Sequence, residues 1–116
     1  MDNEDFRRWS KIAAEWGADY RASVRERPVR AQTAPGAIAA QIPSTPPEDG
    51  APMEEIFRDF EQIVLPGMTH WQHPRFFAYF PANAAPVSTV AEYLVSAMAA
   101  QCMLWQTAPA ATEIET

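Results

Sequence analysis

Prolines are concentrated in residues 28–52, PVRAQTAPGAIAAQIPSTPPEDGAP, which contain six of the eleven prolines of the chain. Each proline fixes its own φ, lacks a backbone donor and biases the preceding residue away from the helical region. This stretch therefore cannot form one regular helix or strand. It is either a disordered linker or an extended strap lying on a surface, which the scattered apolar residues Val29, Ile38 and Ile42 would suit.

Length, charge and cysteine content exclude several classes of protein. The 116 residues allow one domain at most, with a net charge of −6 and every lysine and arginine at or before Arg75. Without a basic stripe, the chain is not expected to bind nucleic acid. A single cysteine, Cys102, cannot form an internal disulfide, and with two histidines it falls short of a structural zinc site. The acidic start, MDNEDFRRWS, lacks an apolar signal segment, so we expect a reduced, cytoplasmic setting.

The first 25 residues carry a helical pattern that ends before Pro28, with Asp2 or Asn3 as its cap. Apolar residues recur every three or four positions and form one stripe: Phe6, Trp9, Ala13, Trp16, Tyr20 and Val24. Because large aromatic rings on so early a helix need a large cover, we expect another subunit or chain to supply it. Packing within this chain is the alternative.

Two further helices are predicted, over residues 52–64 and 86–103. Pro52 suits the first helical position of the earlier one. The later helix is apolar nearly all round, with Glu92 as its only charge, which indicates a buried helix of a soluble protein rather than a membrane span. Cys102, on the apolar stripe of that helix, is then expected to be a buried, inert thiol.

A fourth helix is expected to begin near Thr107, a good cap, with Pro109 in its first turn. Because the sequence stops shortly afterwards without a C-cap, we interpret the chain as a longer one cut within this helix. As an isolated chain it is expected to be mostly α, with three helices, the start of a fourth and the extended Pro-rich strap.

Residues 68–83, MTHWQHPRFFAYFPAN, are unusually rich in aromatic residues for a predicted loop. Burying each ring removes roughly 150–250 Å² from water. The segment therefore favours a wall for a planar ligand, or a subunit interface, over a loop that only fills a core. His70 and His73 have no third ligand nearby, and we favour packing, capping or substrate contact over metal binding.

Tyr79 is the candidate for acid–base chemistry in this segment. A phenol held between Phe77, Phe80 and Pro81 could donate a proton in a dry pocket. A buried tyrosine with a satisfied hydroxyl is the commoner case, and both interpretations stay open at this point.

The second half of the sequence contains an ordered set of motifs. LPGMTHWQHPRFFAYFPAN carries a PG-THW-HP-FFAYFP block and a small-residue helix follows. WQTAPAATEIE is then this chain's form of a W--SPA-TELE block. This order resembles that of the group II pyridoxal-phosphate decarboxylases, the aromatic L-amino-acid decarboxylase family. The opening MDNEDFRRWSKIAAEWGADY and the segment PMEEIFRDFEQIVLPG are similar to the same family.

The resemblance implies the N-terminal part of a fold-type I pyridoxal-phosphate-dependent, transferase-like α/β enzyme. Residues 1–83 would be a helical segment that wraps over the second subunit of a homodimer. Residues 84–116 would be the start of the large cofactor-binding domain. The implied activity is a decarboxylation that converts a small L-amino acid into an amine and CO2, with pyridoxal 5'-phosphate as cofactor.

The same match implies which residues would bind substrate: Trp71, Tyr79, Phe80, Pro81 and Ala82 in the pocket, with Gln101 and Met103 contributing at the subunit interface. Members often carry an aromatic residue at the position of Met103 and an aliphatic one at that of Gln101, so the substrate amino acid stays open. By this resemblance these residues would shape the pocket and exclude water, and it assigns none of them a catalytic role.

The cofactor chemistry of the family needs groups that this sequence lacks. Members use a Schiff-base lysine, a carboxylate on the pyridine nitrogen, a ring-stacking histidine and a phosphate cradle, all C-terminal to the matched stretch. The only lysine here, Lys11, belongs to the polar face of the first helix. The chain alone is therefore expected to be inactive. Its expected partner is the remaining C-terminal part of the enzyme, which would supply most of the cofactor site. The alternative is a non-catalytic helical module that dimerises through Trp9 and Trp16.

Overall fold

The computed structural model describes residues 1–80 and 84–116, and these residues form helices and loops without any strand. The four α-helices are α1 (Asn3–Ser23), α2 (Met53–Asp59), α3 (Pro86–Met98) and α4 (Pro109–Glu115). The chain divides into two compact units, Met1–Ala82 and Asn83–Thr116. The prediction of a mostly helical chain is confirmed, whereas the roles assigned to residues 1–83 and 84–116 stay predictions.

Helix α1 begins where the sequence predicts it. The Asp2 carboxylate accepts hydrogen bonds from the backbone N–H groups of Glu4 and Asp5, both at 2.8 Å. The bond from Asp5 is the main reason that the pKa of Asp2 lies below its usual value. The helix passes into a 3-10 turn, Val24–Glu26, and Arg27 is already extended, so it ends just before Pro28.

Helix α2 continues through two shorter helical turns. A π-helical turn, Phe60–Val64, is closed by the Leu65 N–H bonding to the carbonyl of Phe60, and a 3-10 turn, Leu65–Gly67, follows. Pro52 is the N-cap residue and not the first helical residue, which corrects the predicted start by one position. The reason is that the Pro52 carbonyl accepts the first hydrogen bonds, from Glu55 and Ile56, while its own backbone stays extended.

The aromatic stripe of α1 packs on the segment 53–64 of the same chain. The rings of Trp9 and Phe57 are 5.4 Å apart, and Trp16 meets Phe60 edge-on at 5.0 Å. Trp16 also stacks on Tyr20 at 5.3 Å. The expectation that another subunit covers this stripe is therefore wrong for Trp9 and Trp16, because the segment after the strap returns to α1 and supplies the cover.

Residues 28–52 form a strap rather than a disordered linker. The backbone of Val29 accepts a hydrogen bond from His70 at 2.9 Å, and Ile38 lies directly against Gly67. The strap turns at Gly36, whose φ of +86° favours glycine, and then forms a 3-10 turn at Ala39–Gln41. Ile42 stays exposed, so only part of the predicted apolar contact is made.

The second unit differs from its prediction in two ways. Helix α3 ends at Met98, five residues early, because Ala99 takes a left-handed conformation (φ 49°) and its N–H bonds back to Ser96. The helix is also exposed rather than buried, since Val87, Leu94 and Met98 are uncovered in this chain. Cys102 follows the helix and is exposed, which corrects the expected buried thiol. None of the described helices has the length and apolar character needed to cross a bilayer.

Helix α4 has Pro109 in its first turn, as predicted, but Thr107 does not cap it. The Thr107 hydroxyl donates to the carbonyl of Gln101 at 2.8 Å and also faces that of Leu104 at 3.0 Å. Ala108 takes the N-cap position without any side-chain hydrogen bond. The hydroxyl thus closes the turn that leads into the helix, because it bonds to two nearby carbonyls instead of to the N–H groups at the start of α4.

Candidate functional site

The candidate site is the aromatic loop, which we define as residues 68–80. It follows the 3-10 turn at Leu65–Gly67 and contains neither helix nor strand. Two histidines in this loop, His70 and His73, are buried, whereas most of its aromatic side chains face outward. The loop therefore has a polar inner side that holds it in place and an aromatic outer side.

His70 joins the loop to both α1 and the strap. Its side chain is 5% exposed, its Nδ1 lies 2.8 Å from the Tyr20 hydroxyl, and its backbone N–H donates to Val29. Burial lowers the pKa of His70 below its ordinary value, and the positive charges of Arg27 and His73 lower it further. The neutral imidazole is therefore the form that this environment stabilises.

His73 fixes the loop to the segment just after α1. Its side chain is 6% exposed, the Arg75 N–H donates to Nδ1 at 3.0 Å, and Nε2 lies 3.2 Å from the carbonyl of Arg25. Nδ1 is thus the acceptor for a backbone N–H of the loop, and Nε2 faces a backbone carbonyl at the end of the segment after α1. Within residues 1–80 and 84–116, no three His, Cys, Asp or Glu side chains gather as metal ligands would.

Three rings of the loop form a stack centred on Trp71. Phe76 lies 4.8 Å from Trp71 at an angle of 31°, and Tyr79 lies 6.0 Å from it at 24°. Tyr79 reaches this position with a left-handed backbone, φ 52°. Trp71 remains 42% exposed in the stack, so it presents a flat apolar face at the surface of this chain.

The dry pocket predicted around Tyr79 is not formed by the described residues of this chain. Tyr79 is 90% exposed and Phe80 is 93% exposed, and Phe77 is equally open. The physical reason is that the loop curls its polar side inward, which leaves these rings without a covering element. Pro81 and Ala82 lie outside the described residues. A substrate-binding role for Trp71, Tyr79 and Phe80 stays a prediction.

The other predicted site residues lie in the second unit. Gln101 and Met103 follow α3 in a turn, and both are exposed; the predicted helix does not extend to them. The backbone carbonyl of Gln101 holds the Thr107 hydroxyl, so that turn is ordered. Their contribution at a subunit interface stays a prediction.

Sequence reasoning missed the partners of the two histidines. The sequence pattern places Tyr20 only in the apolar stripe. In the structure its hydroxyl lies within hydrogen-bond distance of His70, and the Arg27 guanidinium lies over its ring, 5.3 Å from the ring centroid. The available signal was a tyrosine, rather than a phenylalanine, in the last position of an aromatic stripe, because a tyrosine hydroxyl at a buried edge needs a partner. Nothing in the sequence pattern pointed to the backbone of Arg25.

Comparison with known proteins identifies this arrangement. The profile described as "Pyridoxal-dependent decarboxylase conserved domain" matches residues 35–116. Aromatic-L-amino-acid decarboxylase from Rattus norvegicus is 40% identical over 116 residues, which is 100% of this chain and 24% of that protein. The chain thus spans about a quarter of this relative's length.

Two solved structures share the fold of the chain. Tryptophan decarboxylase from Catharanthus roseus, in complex with L-tryptophan, superposes with a TM-score of 0.90 at 34% identity, covering 99% of this chain and 25% of that one. The Oryza sativa TDC solved with PLP and tryptamine gives a TM-score of 0.87 at 32% identity, covering 95% of this chain and 23% of that one.

Proposed function

This chain belongs to the pyridoxal-dependent decarboxylase family, and we propose that it is the N-terminal portion of an enzyme that decarboxylates an L-amino acid to an amine and CO2. The observation that carries the proposal is the ring stack of Trp71, Phe76 and Tyr79. It lies in a chain that matches amino-acid decarboxylases over its whole length. The stack would form one wall of the substrate pocket and exclude water from it, which strengthens electrostatic interactions there.

The residues of this chain do not by themselves fit pyridoxal phosphate. The family's cofactor chemistry needs a lysine that can form a Schiff base. Lys11 is the only lysine, and it is exposed on α1, away from the aromatic loop in sequence and on the side opposite the packed stripe. We infer that the cofactor is held mainly by residues outside this chain, so that the 116 residues alone are inactive.

The partners we propose are the remaining part of the same enzyme and a second subunit of a homodimer, with a small L-amino acid as substrate. The exposed rings of Phe77 and Phe80 and the exposed apolar face of α3 support such partners, because apolar surface of this extent is rare on chains that work alone. The cytoplasmic setting that we propose is supported by the single cysteine, which cannot form an internal disulfide.

The non-catalytic dimerisation module has lost its structural basis. It depended on the stripe of Trp9 and Trp16 being free to meet a second copy. Phe57 and Phe60 of the same chain cover those rings, and the exposed ion pair between Arg8 and Glu54, at 2.6 Å, joins the same two segments.

Substitutions in the stack test the proposal in the complete enzyme. Trp71→Ala removes the centre of the stack and is expected to lower kcat/KM by at least about tenfold. Tyr79→Phe removes only the hydroxyl, so its effect separates a wall, for which phenylalanine suffices, from a proton donor. Amine formation and CO2 release are measured together, with Phe6→Leu on α1 as an aromatic substitution distant from the loop.

Each outcome decides a specific part of the proposal. Loss of turnover in Trp71→Ala with normal turnover in Phe6→Leu supports the wall. Unchanged kinetics in both Trp71→Ala and Tyr79→Phe would remove these residues from the site. A purified preparation without the visible absorbance of bound pyridoxal phosphate, and without a second polypeptide or further sequence beyond these residues, would contradict the decarboxylase itself.

A further inference from the structure

His73 uses all four of its polar groups within the loop and its surroundings. Its backbone N–H donates to the carbonyl of His70 at 2.9 Å, and its own carbonyl accepts from the N–H of Phe76 at 2.9 Å. The ring accepts from the Arg75 N–H at 3.0 Å and donates to the Arg25 carbonyl at 3.2 Å. One residue therefore closes two turns and also connects them to the chain beyond α1.

These two turns determine where the rings of the stack lie. The first turn, His70–His73, contains Trp71, and the second, His73–Phe76, ends on Phe76. The rings of Trp71 and Phe76 contact each other at 4.8 Å, and Tyr79 lies on the same Trp71 ring. A rotation of the backbone at His73 would therefore separate Trp71 from Phe76.

The imidazole suits this connection because it is rigid and has one acceptor and one donor at a fixed separation. Both hydrogen bonds go to backbone atoms, so their directions do not depend on side-chain rotamers elsewhere. The ring is also buried, so water does not readily replace either bond.

We propose that His73 is a positioning residue for the aromatic wall: its ring sets the backbone of the loop, and thereby the placement of Trp71, without touching the substrate. The inference rests on the proposed function in that the stack must line the pocket. It assigns to His73 a role beyond packing, because the two hydrogen bonds of its ring fix the loop that contains Trp71 relative to the segment just after α1.

Three substitutions of His73 test its two ring hydrogen bonds separately and together. His73→Asn keeps an acceptor near the position of Nδ1, and His73→Gln keeps a donor near that of Nε2. His73→Ala keeps neither. Arg25→Ala is the matched control, because it removes a neighbouring side chain and leaves the backbone carbonyl that accepts the bond.

The first measurement is fluorine NMR of the holoenzyme grown with 5-fluorotryptophan, in which Trp71→Phe identifies the Trp71 resonance. We expect this resonance to shift or broaden in His73→Ala, and to shift less in His73→Asn and His73→Gln. The resonances of Trp9 and Trp16 and the whole spectrum of Arg25→Ala should stay as in the wild type. The second measurement is the kinetics, where His73→Ala is expected to raise KM about tenfold and change kcat by no more than about twofold.

The fluorine spectrum does not depend on turnover, so the two proposals can fail separately. An unchanged Trp71 resonance in all three His73 variants overturns the positioning role, whatever the enzyme does. A shifted resonance together with an unchanged KM also overturns it, since the moved ring would then not line the pocket. If the wild-type holoenzyme releases no CO2 from any amino acid, the proposed function fails while the spectrum still reports whether His73 places Trp71. Should His73→Ala not fold, the Asn and Gln variants give the same comparison.

Discussion

At the scale of single residues, the two buried histidines differ in what holds them. His73 is bound by two backbone groups, whereas His70 depends on one side chain, the Tyr20 hydroxyl at 2.8 Å, and on one backbone bond to Val29. Arg27 lies over the Tyr20 ring and adds a positive charge near His70. The protonation of His70 is therefore coupled to the stability of the loop.

The stability of the protein is expected to fall as the pH drops below the ordinary histidine pKa of about 6.5. Burial, Arg27 and His73 lower the pKa of His70 in the folded state, so the unfolded state binds the proton more readily. The stabilisation is complete above the unfolded pKa and is lost as the pH falls toward the lowered folded value. Urea unfolding at about pH 8 and about pH 5.5 measures it.

The matched variant for this experiment is His70→Asn, which keeps an acceptor for the Tyr20 hydroxyl but does not titrate. We expect a smaller change in unfolding free energy between the two pH values in His70→Asn than in the wild type. An equal change in both proteins would assign the acid sensitivity to other groups and contradict the role of His70.

Gly36 should be the glycine of the strap that tolerates substitution least. Its φ of +86° lies in a region that other residues enter at a cost, although nothing lies within 4 Å of a Cβ built there. Gly36→Ala is expected to lower the unfolding free energy by about 1 kcal/mol through backbone strain alone. Gly50→Ala, also on the strap and without a positive φ or a close neighbour, is the control. Equal unfolding curves for both variants would show that the turn at Gly36 is not required.

At the scale of elements, α1 and the segment 53–64 are held together by rings rather than by charge. The single ion pair across them, Arg8–Glu54, is about half exposed and contributes little. Trp16 and Phe60, at 5.0 Å and nearly perpendicular, form the closest ring pair between the two segments. Edge-to-face pairs of this kind contribute beyond the apolar area that they bury.

A double-mutant cycle with Trp16→Leu and Phe60→Leu should give a coupling energy of about 0.5–1.5 kcal/mol in urea unfolding. The physical reason is the specific ring geometry, which neither leucine reproduces. The control cycle pairs Trp16→Leu with Phe6→Leu, ten residues away on the same helix, roughly 15 Å along its axis. Coupling near zero in the first cycle, or equal coupling in both, would contradict the assigned cover of α1.

The elements also show which part of the fold the sequence could predict. The start of α1 was predictable because capping and a 3.6-residue period are local properties of the sequence. Asp2 gives the capping signal, and Trp9 belongs to the periodic apolar stripe. The cover of Trp9 was not, because Phe57 lies across a strap whose path depends on contacts such as Ile38 on Gly67. The end of α3 could not be predicted, because Ala99 ends the helix in a left-handed conformation and alanine gives no sequence signal for such a helix end.

At the scale of the whole molecule, each of the two units leaves apolar surface uncovered. In the first unit this surface includes Phe77 and Phe80, and in the second it includes Val87 and Met98. The apolar composition of α3 predicted burial, yet Val87 and Met98 are exposed, because an apolar helix specifies that it needs a cover but not which chain supplies it. The same holds for the predicted pocket residues: motif order singled out Trp71 and Tyr79, but it does not specify what covers their exposed rings.

The 116-residue chain on its own is expected to bind the dye ANS strongly, because ANS fluoresces on exposed apolar surface. Phe77→Ser combined with Phe80→Ser should lower that fluorescence without changing the helical circular dichroism signal. Addition of the remaining part of the enzyme should lower the wild-type fluorescence as well. Weak ANS fluorescence from the chain alone, at full helical content, would show that its apolar surface is covered in a way the structure does not contain.

Because of the π-helical turn at Phe60–Val64, the number of residues in this segment is as important for the fold as the residue types. Its Leu65–Phe60 hydrogen bond spans one residue more than an α-helical bond does, so the turn is equivalent to a single insertion into α2. Deleting one residue here would let the helix run on regularly, yet it would rotate everything downstream by about 100°. His70 would then leave Tyr20 even though every remaining side chain was native. Among related sequences, this segment should therefore tolerate exchanges of residue type much better than gaps.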